Sequence, residues 1–396
     1  MDIHEYQAKQ ILNAHGIRTP KGKIAYTALE AKNVAREISA RGPWVLKAQI
    51  HSGARNQGHF LEEKAGCNGG IRIVHTLEEV YVNAEAMLGS TLVTSQTGPN
   101  GRLVSRIYVE AYNKVVHNFY LGMAIDRVSS MITLLVASTK DDDITEIVVK
   151  NPEKILRVPL DITGPTYAQS SQIISFLNLR GKSEDSFHNF VRGIFKAFVA
   201  ADALMIEINP VGVLKNGEMV ALDAKITLDN RALYRHEQYE HWRDDDEIEV
   251  RQLKASRYGF VYNEYDGNIG CIVNGDGLAL AMMGLMETTA ACTMNIKGGA
   301  DRDKIAAGIK IIATNPKVEG IVINILGGFV RCDMIADGII DTAAEVGMNM
   351  PVVVRFEGTN RDEALNILKN ANLPIVIADT MEEAVAKIVQ AVEDGE

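Results

Sequence analysis

The sequence predicts an α/β chain in two parts, and three observations carry that prediction. Toward the C-terminus short apolar runs alternate with helical segments, the pattern of a parallel sheet covered on both faces. The first half instead sets period-two stretches beside turn signals, which predicts antiparallel hairpins among its helices. Between them runs HEQYEHWRDDDEIEVRQLKASRYG, highly charged and without a sustained apolar face. The boundaries that follow are a first region over 1–235, a connector over 236–262 and a second domain over 263–396.

With 396 residues the chain has room for two or three domains with ample cores. Hydrophobic content is 46%, no apolar run reaches the length of a membrane span, and the opening MDIHEYQAKQIL lacks a signal-peptide core. These readings predict a soluble, cytoplasmic protein with no membrane partner. The formal net charge of −10 argues against a nucleic-acid surface. Cys67, Cys271, Cys292 and Cys332 are scattered, without a CxxC pair, so neither a disulfide framework nor a structural zinc site is expected.

Residues 2–14 have helical apolar spacing and end at Gly16, a suitable C-terminal cap. A helix over 29–38 and a strand over 43–50 follow, the strand carrying Lys47 among apolar neighbours. A lone strand lysine suits an exposed edge, or a phosphate ligand if it faces a cleft ahead of a glycine loop. That loop, HSGARNQGHFLEEKAGCNGG over 51–70, reads as a flexible turn. It either covers phosphates with backbone N–H groups or is a surface excursion. A strand over 71–75, a helix over 77–88 and a strand over 106–111 come next, and Glu110 on the last faces either a nucleotide or solvent. Residues 118–138 predict a well-buried hairpin, Lys140-Asp141-Asp142-Asp143 a charged turn, and 186–203 an amphipathic helix.

The stretch LMIEINPVGVLKNGEMVALDAK over 204–225 holds two alternating runs about Asn216-Gly217, a strong hairpin signal. Glu207 and Asn209 share one face of the first strand, and Asp223 and Lys225 one face of the second. Folding at the turn sets Asn209 opposite Asp223, so an amide oxygen and a carboxylate can meet one cation. So few oxygen ligands suit Mg²⁺ that keeps waters and bridges to nucleotide phosphates; an amphipathic hairpin with a solvated face is the plainer alternative.

In the second domain, strands are predicted over 268–273, 293–296, 320–325, 351–356 and 374–378, each followed by a helix. The turns Asn274-Gly275-Asp276-Gly277, Lys297-Gly298-Gly299-Ala300 and Gly327-Gly328-Phe329-Val330 then gather at the carboxyl edge of the sheet. Ligands of open α/β sheets bind there, and helix N-termini attract anions. One glycine turn is only turn chemistry; three together favour an anionic ligand.

With these residues assembled, the chain resembles the β subunits of succinate–CoA ligase and malate–CoA ligase over nearly its full length. WVLKAQIHSGAR, LVTSQTGPNG, IEINP, LDAK, GNIGCIVNGDGLA, GGFVRCDMIADGII and PVVVRFEGTN carry the likeness. The resemblance implies an ATP-grasp region followed by a flavodoxin-like CoA-ligase domain. It implies that Lys47 and Gly53-Ala54-Arg55 hold ATP phosphates, that Glu110 contacts the nucleotide, and that Asn209 and Asp223 bind Mg²⁺. Glu207 matches a carboxylate that helps position the partner's active-site loop, and Asn274 with Gly328, Phe329 and Val330 match an organic-acid site. The implied partner is an α subunit carrying the phosphorylated histidine and most of the CoA site. The implied reaction joins CoA to succinate, malate or another small carboxylate with formation of ADP.

The chain departs from the family pattern at several points. Asn56 stands where a glycine is usual, and the loop to Gly69-Gly70 is longer. Lys297 precedes the second glycine turn, where the family reads DVGGGA, and the segment leading to it is shortened. Phe329 replaces a smaller aliphatic residue, which reshapes the implied acid pocket. These departures keep open an alternative, a non-catalytic or regulatory paralogue.

Overall fold

In a computed structural model that describes residues 1–138, 151–299, 302–328, 330–346, 350–371 and 373–395, the chain divides between Glu247 and Ile248. The division falls inside the stretch read as a connector. Residues 236–247 belong to the first unit, with a short helix at Glu237–Glu240. The remainder supplies the second unit with the helix Val250–Arg257 and the strand Val261–Glu264, which pairs antiparallel with Ala290–Asn295. The charged turn at Lys140-Asp141-Asp142-Asp143, and Ala300 and Phe329, lie outside the described residues.

Two sheets with separate cores make up most of the first unit. A seven-stranded antiparallel sheet runs Asp2–Ile3, Lys225–Leu228, Ala203–Leu214, Val115–Asp126, Met131–Ala137 and Ile155–Leu160, with Met219–Ala221 also paired to Ala203–Leu214. One face, through Phe119, Leu121, Met123, Ile206 and Ile208, packs with residues of the helices Glu5–Ala14, Tyr167–Phe176 and Lys182–Ala200. A four-stranded sheet, in the order Gly22–Ala25, Ile107–Ala111, Trp44–Ala48 and Ile71–Val74, packs its own core with the helices Ala28–Ile38 and Leu77–Met87. Both of those helices open on a threonine, Thr27 or Thr76, whose side chain accepts the N–H of a glutamate three residues on. Each such cap contributes about 1 kcal/mol.

Residues 2–14 are not one helix. Asp2–Ile3 is instead an edge strand paired with Lys225–Leu228, because Ile3 buries in the sheet core and the terminal ammonium donates to Leu228 O at 2.6 Å. The helix begins only after His4.

The long excursion over 51–70 is also more ordered than its glycine content predicts. Its strand His59–Phe60 pairs with Thr91–Val93, and Phe60 and Ala65 are buried in the core of the four-stranded sheet. Arg72 ties the rest down. Its Nη2 donates to Ala65 O at 2.6 Å and Asn68 O at 3.0 Å, and its Nε to Gly69 O at 3.1 Å. At the neck, Gly70 N–H donates to Arg55 O at 2.7 Å. A Cβ at Gly69 would stand 2.4 Å from Asn56 O, so this close approach requires glycine.

In the second unit five parallel strands, Ile269–Val273, Ala290–Asn295, Gly320–Gly327, Val352–Gly358 and Ile375–Ile377, lie across the sheet in the order second, first, third, fourth, fifth. That is the flavodoxin-like order, whose ligand crevice opens between the first and third strands. Alternate residues enter opposite cores. Cys271, Val322 and Val353 face one, and Ile272, Ile321, Ile323, Val352 and Val354 the other. Both faces are therefore covered, as near-continuous apolar strands require. No helix among the described residues is long and apolar enough to cross a membrane.

One polar knot anchors the end of the first unit to its beginning. His4 Nε2 lies 2.7 Å from Asp244 Oδ2, which Arg106 also meets at 2.8 Å, and the His4 and His51 rings stand 4.3 Å apart. Burial, reinforced by His4, pushes the His51 imidazole down to about 4. A histidine that protonates near pH 6.5 when unfolded but stays neutral when folded contributes stability that is complete above that pH. The contribution is lost as pH falls toward the folded value. Urea unfolding of the chain should therefore show stability declining from about pH 6.5 downward, with His51's share reaching about 3 kcal/mol. His51→Gln should flatten that part of the profile; an unchanged slope would assign the dependence to other groups.

Candidate functional site

The predicted strand lysine does not lie at a solvated edge. In the strand Trp44–Ala48, Trp44, Leu46 and Ala48 enter the core, so alternation sends Val45 and Lys47 to the other face. The neighbouring strand does the same, burying Ile107 and Val109 in the core and turning Tyr108 and Glu110 outward from it. Their register, Val45 with Glu110 and Lys47 with Tyr108, makes Lys47 and Glu110 diagonal neighbours. Both are nonetheless buried, Lys47 at 5% and Glu110 at 2% exposure, so Glu110 is not a solvent-facing carboxylate.

The helix Glu5–Ala14 covers them. Glu5, Ala8, Lys9 and Leu12 are spaced to share one helical face, and all four are buried. Lys47 Nζ meets Glu5 Oε1 at 2.7 Å, Glu110 Oε1 at 2.8 Å and Leu222 O at 2.6 Å. Lys9 Nζ repeats the pattern, with Glu5 Oε1 at 2.7 Å, Glu110 Oε2 at 2.6 Å and Leu222 O at 2.8 Å. Burial acts to strip the proton from Lys47, but Glu110 and Glu5 outweigh it and hold the ammonium above the ordinary lysine range. Glu5 is the converse: burial would raise its carboxyl, and Lys47, Lys9 and Arg55 hold it well below the usual range. Glu5 and Lys47 are therefore both charged at neutral pH.

Arg55 links this cluster to the hairpin. One terminal nitrogen, Nη2, reaches Glu5 Oε2 at 2.8 Å and the two Asp223 oxygens at 2.9 and 2.8 Å, while Nη1 donates to Ala48 O at 2.9 Å. The turn before it is locally specified. Ala54 is left-handed at φ 52°, Gly53 N–H donates to Gln96 Oε1 at 2.8 Å, and Ser52 Oγ lies 2.6 Å from Thr94 Oγ1. The segment LVTSQTGPNG thus supports the glycine turn.

The hairpin about Asn216-Gly217 forms as predicted. Val211 pairs with Ala221 and Val213 with Met219, and the same register resumes at Glu207 with Lys225 and Ile206 with Ile226. Between those ladders lies Pro210, which has no N–H to give. Its carbonyl still accepts Leu222 N–H at 3.1 Å, and continuing the register sets Asn209 opposite Asp223. Asn209 is exposed, while the Asp223 carboxylate is 25% exposed and held by Arg55. Glu207 is half-buried and lies opposite Gly122 on the adjacent strand. Burial, aided by Glu207, raises the Tyr120 hydroxyl well above its ordinary pKa.

In the second unit the three glycine turns stand at the carboxyl ends of neighbouring parallel strands. Asn274 clamps two of those ends together, its Nδ2 donating to Leu326 O at 2.7 Å and its Oδ1 accepting Leu326 N–H at 3.0 Å. Those are the first and third strands, the flanks of the crevice. Asn295 Nδ2 donates to Asp276 Oδ1 at 2.7 Å and Asn295 Oδ1 accepts Lys297 N–H at 2.9 Å, holding Lys297 in a left-handed turn at φ 56°. A Cβ at Gly275, Gly277, Gly299 or Gly328 would meet nothing within 4 Å, so the edge is open at these positions. Val330 differs, its side chain buried at 1% in the core, so only its backbone is available to a ligand.

Sequence reasoning singled out Lys47, Arg55, Glu110 and Asp223, which the fold brings together, but missed Glu5 and Lys9. The signal was present in their placement with Ala8 and Leu12 on one helical face, an ion pair inside an apolar stripe. No sequence signal marks Leu222, because its contribution is a carbonyl oxygen.

A family model described as an ATP-grasp domain matches residues 2–213, and one described as CoA-ligase matches residues 272–389. The fold class read from the sequence, ATP-grasp followed by a CoA-ligase domain, is thus met in order. The chain is 44% identical over 400 residues to the succinate–CoA ligase (ADP-forming) subunit beta of Acidiphilium cryptum, covering 100% of both chains. It is 42% identical to the same subunit of Rhodospirillum rubrum, again over 100% of both. Among solved structures, ATP citrate lyase from Methanothrix soehngenii, in complex with citrate and coenzyme A, matches 98% of this chain and 99% of that one. Its TM-score is 0.70 at 13% identity, a likeness of fold alone. Identity at this level across the whole length, together with both domain matches, places the chain in the family of succinate–CoA ligase (ADP-forming) β subunits.

Proposed function

We propose that this chain is the nucleotide-binding subunit of an ADP-forming carboxylate–CoA ligase, acting with an α subunit whose histidine it phosphorylates. The observation that carries the reading is the convergence of Lys47, Arg55, Glu110 and Asp223 around one buried charge cluster, with Asn209 facing Asp223 across the hairpin. Lysine and arginine beside a metal-competent carboxylate suit a triphosphate better than any neutral ligand. Relatives named for succinate favour succinate as the acid. Lys297 and Phe329 keep malate or another small carboxylate in play.

The residues present fit Mg²⁺ only as a shared site. Among the described residues no three His, Cys, Asp or Glu side chains converge on an ion position. Asn209 and Asp223 would supply an amide and a carboxylate oxygen, leaving phosphate oxygens and water to complete the shell. When bound, the ion offsets negative charge on the phosphates. Lys47 and Arg55 orient the triphosphate, and Glu110 fixes Lys47 while the turn at Gly53-Ala54-Arg55 covers the phosphates. The partner's histidine nitrogen then forms a bond to the terminal phosphorus as the bond to the bridging oxygen breaks, releasing ADP. Glu207 positions the loop that carries this histidine. The phosphoryl group passes to the carboxylate, giving an acyl phosphate, and the CoA thiol displaces phosphate from its carbonyl carbon. Asn274, Gly328 and the Val330 backbone border the acid in this step, at the open edge of the parallel sheet.

The decisive assay co-purifies the chain with its natural partner, adds labelled Mg·ATP and looks for acid-labile phosphate on that partner. Label that is discharged by one carboxylate with CoA supports the ligase and names the acid. A folded, intact complex that acquires no label favours the non-catalytic paralogue. Asp223→Asn should lower the rate of labelling at least about tenfold without disturbing co-elution in size-exclusion chromatography; an unchanged rate would remove Asp223 from the metal site. Lys47→Met should act on the fold itself. It leaves Glu5 and Glu110 short of a counter-charge and should reduce unfolding free energy by about 3–5 kcal/mol in urea titrations, whereas a loss under about 1 kcal/mol would mean the cluster is not closed in solution.

A further inference from the structure

Three buried or half-buried cations, Lys9, Lys47 and Arg55, face three carboxylates, Glu5, Glu110 and Asp223, so the cluster is neutral as it stands. Five of the six side chains are at most 7% exposed, and only Asp223, at 25%, opens toward solvent. The one carboxylate a metal can reach is thus the one whose two oxygens are both taken by Arg55. A divalent cation arriving alone must break that pair and leave an uncompensated double positive charge in a region of low dielectric. A cation arriving with phosphates brings its own anions, which can also accept Arg55.

Resting on the reading of Asn209 and Asp223 as metal ligands, we propose that Arg55 is a built-in competitor for the metal carboxylate. The guanidinium holds Asp223 until nucleotide phosphates draw it away, so that the divalent ion binds only together with the nucleotide. Arg55 is suited to the exchange. Its Nη1 on Ala48 O is a pivot that keeps the guanidinium within the cluster while Nη2, the nitrogen shared by Glu5 and Asp223, swings off Asp223. The neck bond from Gly70 N–H to Arg55 O and the bond from Gln57 N–H to Ala54 O fix the main chain, so the movement required is one of side chain alone.

The test uses Mn²⁺ as the metal probe and the full chain, following loss of the free-ion EPR signal with and without ADP. Wild type should take up Mn²⁺ only when ADP is present. R55Q, folded by circular dichroism, should take up Mn²⁺ without ADP at least about tenfold more tightly than wild type, and adding D223N to R55Q should abolish the gain. The proposal is overturned if R55Q shows no gain, or if wild type binds Mn²⁺ alone at a site that D223N removes. Should R55Q fail to fold, R55M replaces it: methionine fills similar volume and removes the competing charge. ADP-free uptake in R55M supports the exchange, and its absence overturns it. A separate failure is distinguishable. If D223N leaves ADP-dependent uptake unchanged, the metal assignment falls rather than Arg55's part in it.

Discussion

The ion cluster built on Glu5, Lys9, Lys47, Glu110, Arg55 and Asp223 is the constraint around which the first unit is arranged. Its members come from the first helix, two strands of the smaller sheet, a glycine turn and the hairpin of the larger sheet. Burying six charges is tolerable only if each finds its partners, because an isolated buried ion costs several kcal/mol. Every element that contributes a member is therefore held to a narrow position. A one-residue slip in the strand Trp44–Ala48 would turn Lys47 into the apolar core and take one counter-charge from Glu5 and Glu110, leaving Lys9 shared between them. The cluster thus acts less as a source of stability than as a device that selects one mutual arrangement of the two sheets within this unit.

What could be read beforehand followed from local chemistry. The Asn216-Gly217 turn fixed the hairpin register well enough to set Asn209 against Asp223, since side-chain direction in a strand has a strict period of two. The βα alternation likewise announced the parallel sheet, and its five strands appear in the expected sequence of elements. Three things were less legible. Asp2–Ile3 resembles the start of a helix, and only pairing with residues more than 200 positions away makes it a strand. Residues 51–70 have the composition of a loose turn, but Phe60 and Ala65 find a core and Arg72 satisfies the carbonyls of Ala65, Asn68 and Gly69. Glu5 and Lys9 stand at helical spacing beside Ala8 and Leu12, a signal that was legible, but the partners they meet come from strands and a turn far along the chain.

The two units present their polar groups in different ways. In the first, fixed side-chain cations already have partners, so an incoming anion must exchange with groups in place. In the second, the edge is lined by glycines with open space above them, and its main polar residues are turned on the backbone, as Asn274 is toward Leu326. Such an edge offers N–H groups and helix ends, with Lys297 as an exposed cation beside them. A site of the first kind discriminates by electrostatic balance and one of the second by shape. Under the function proposed above, the first kind would suit the nucleotide and the second the acid.

The bond from Gly70 N–H to the Arg55 carbonyl has a consequence for how such chains can vary. It closes the excursion at its neck, so the residues between form a pouch whose two ends are already joined. Length added inside a pouch does not propagate to the backbone on either side. The glycine turn before it and the strand after it are thereby insulated from insertions, and this stretch of the gene can lengthen or shorten across generations while the residues beside it stay in register.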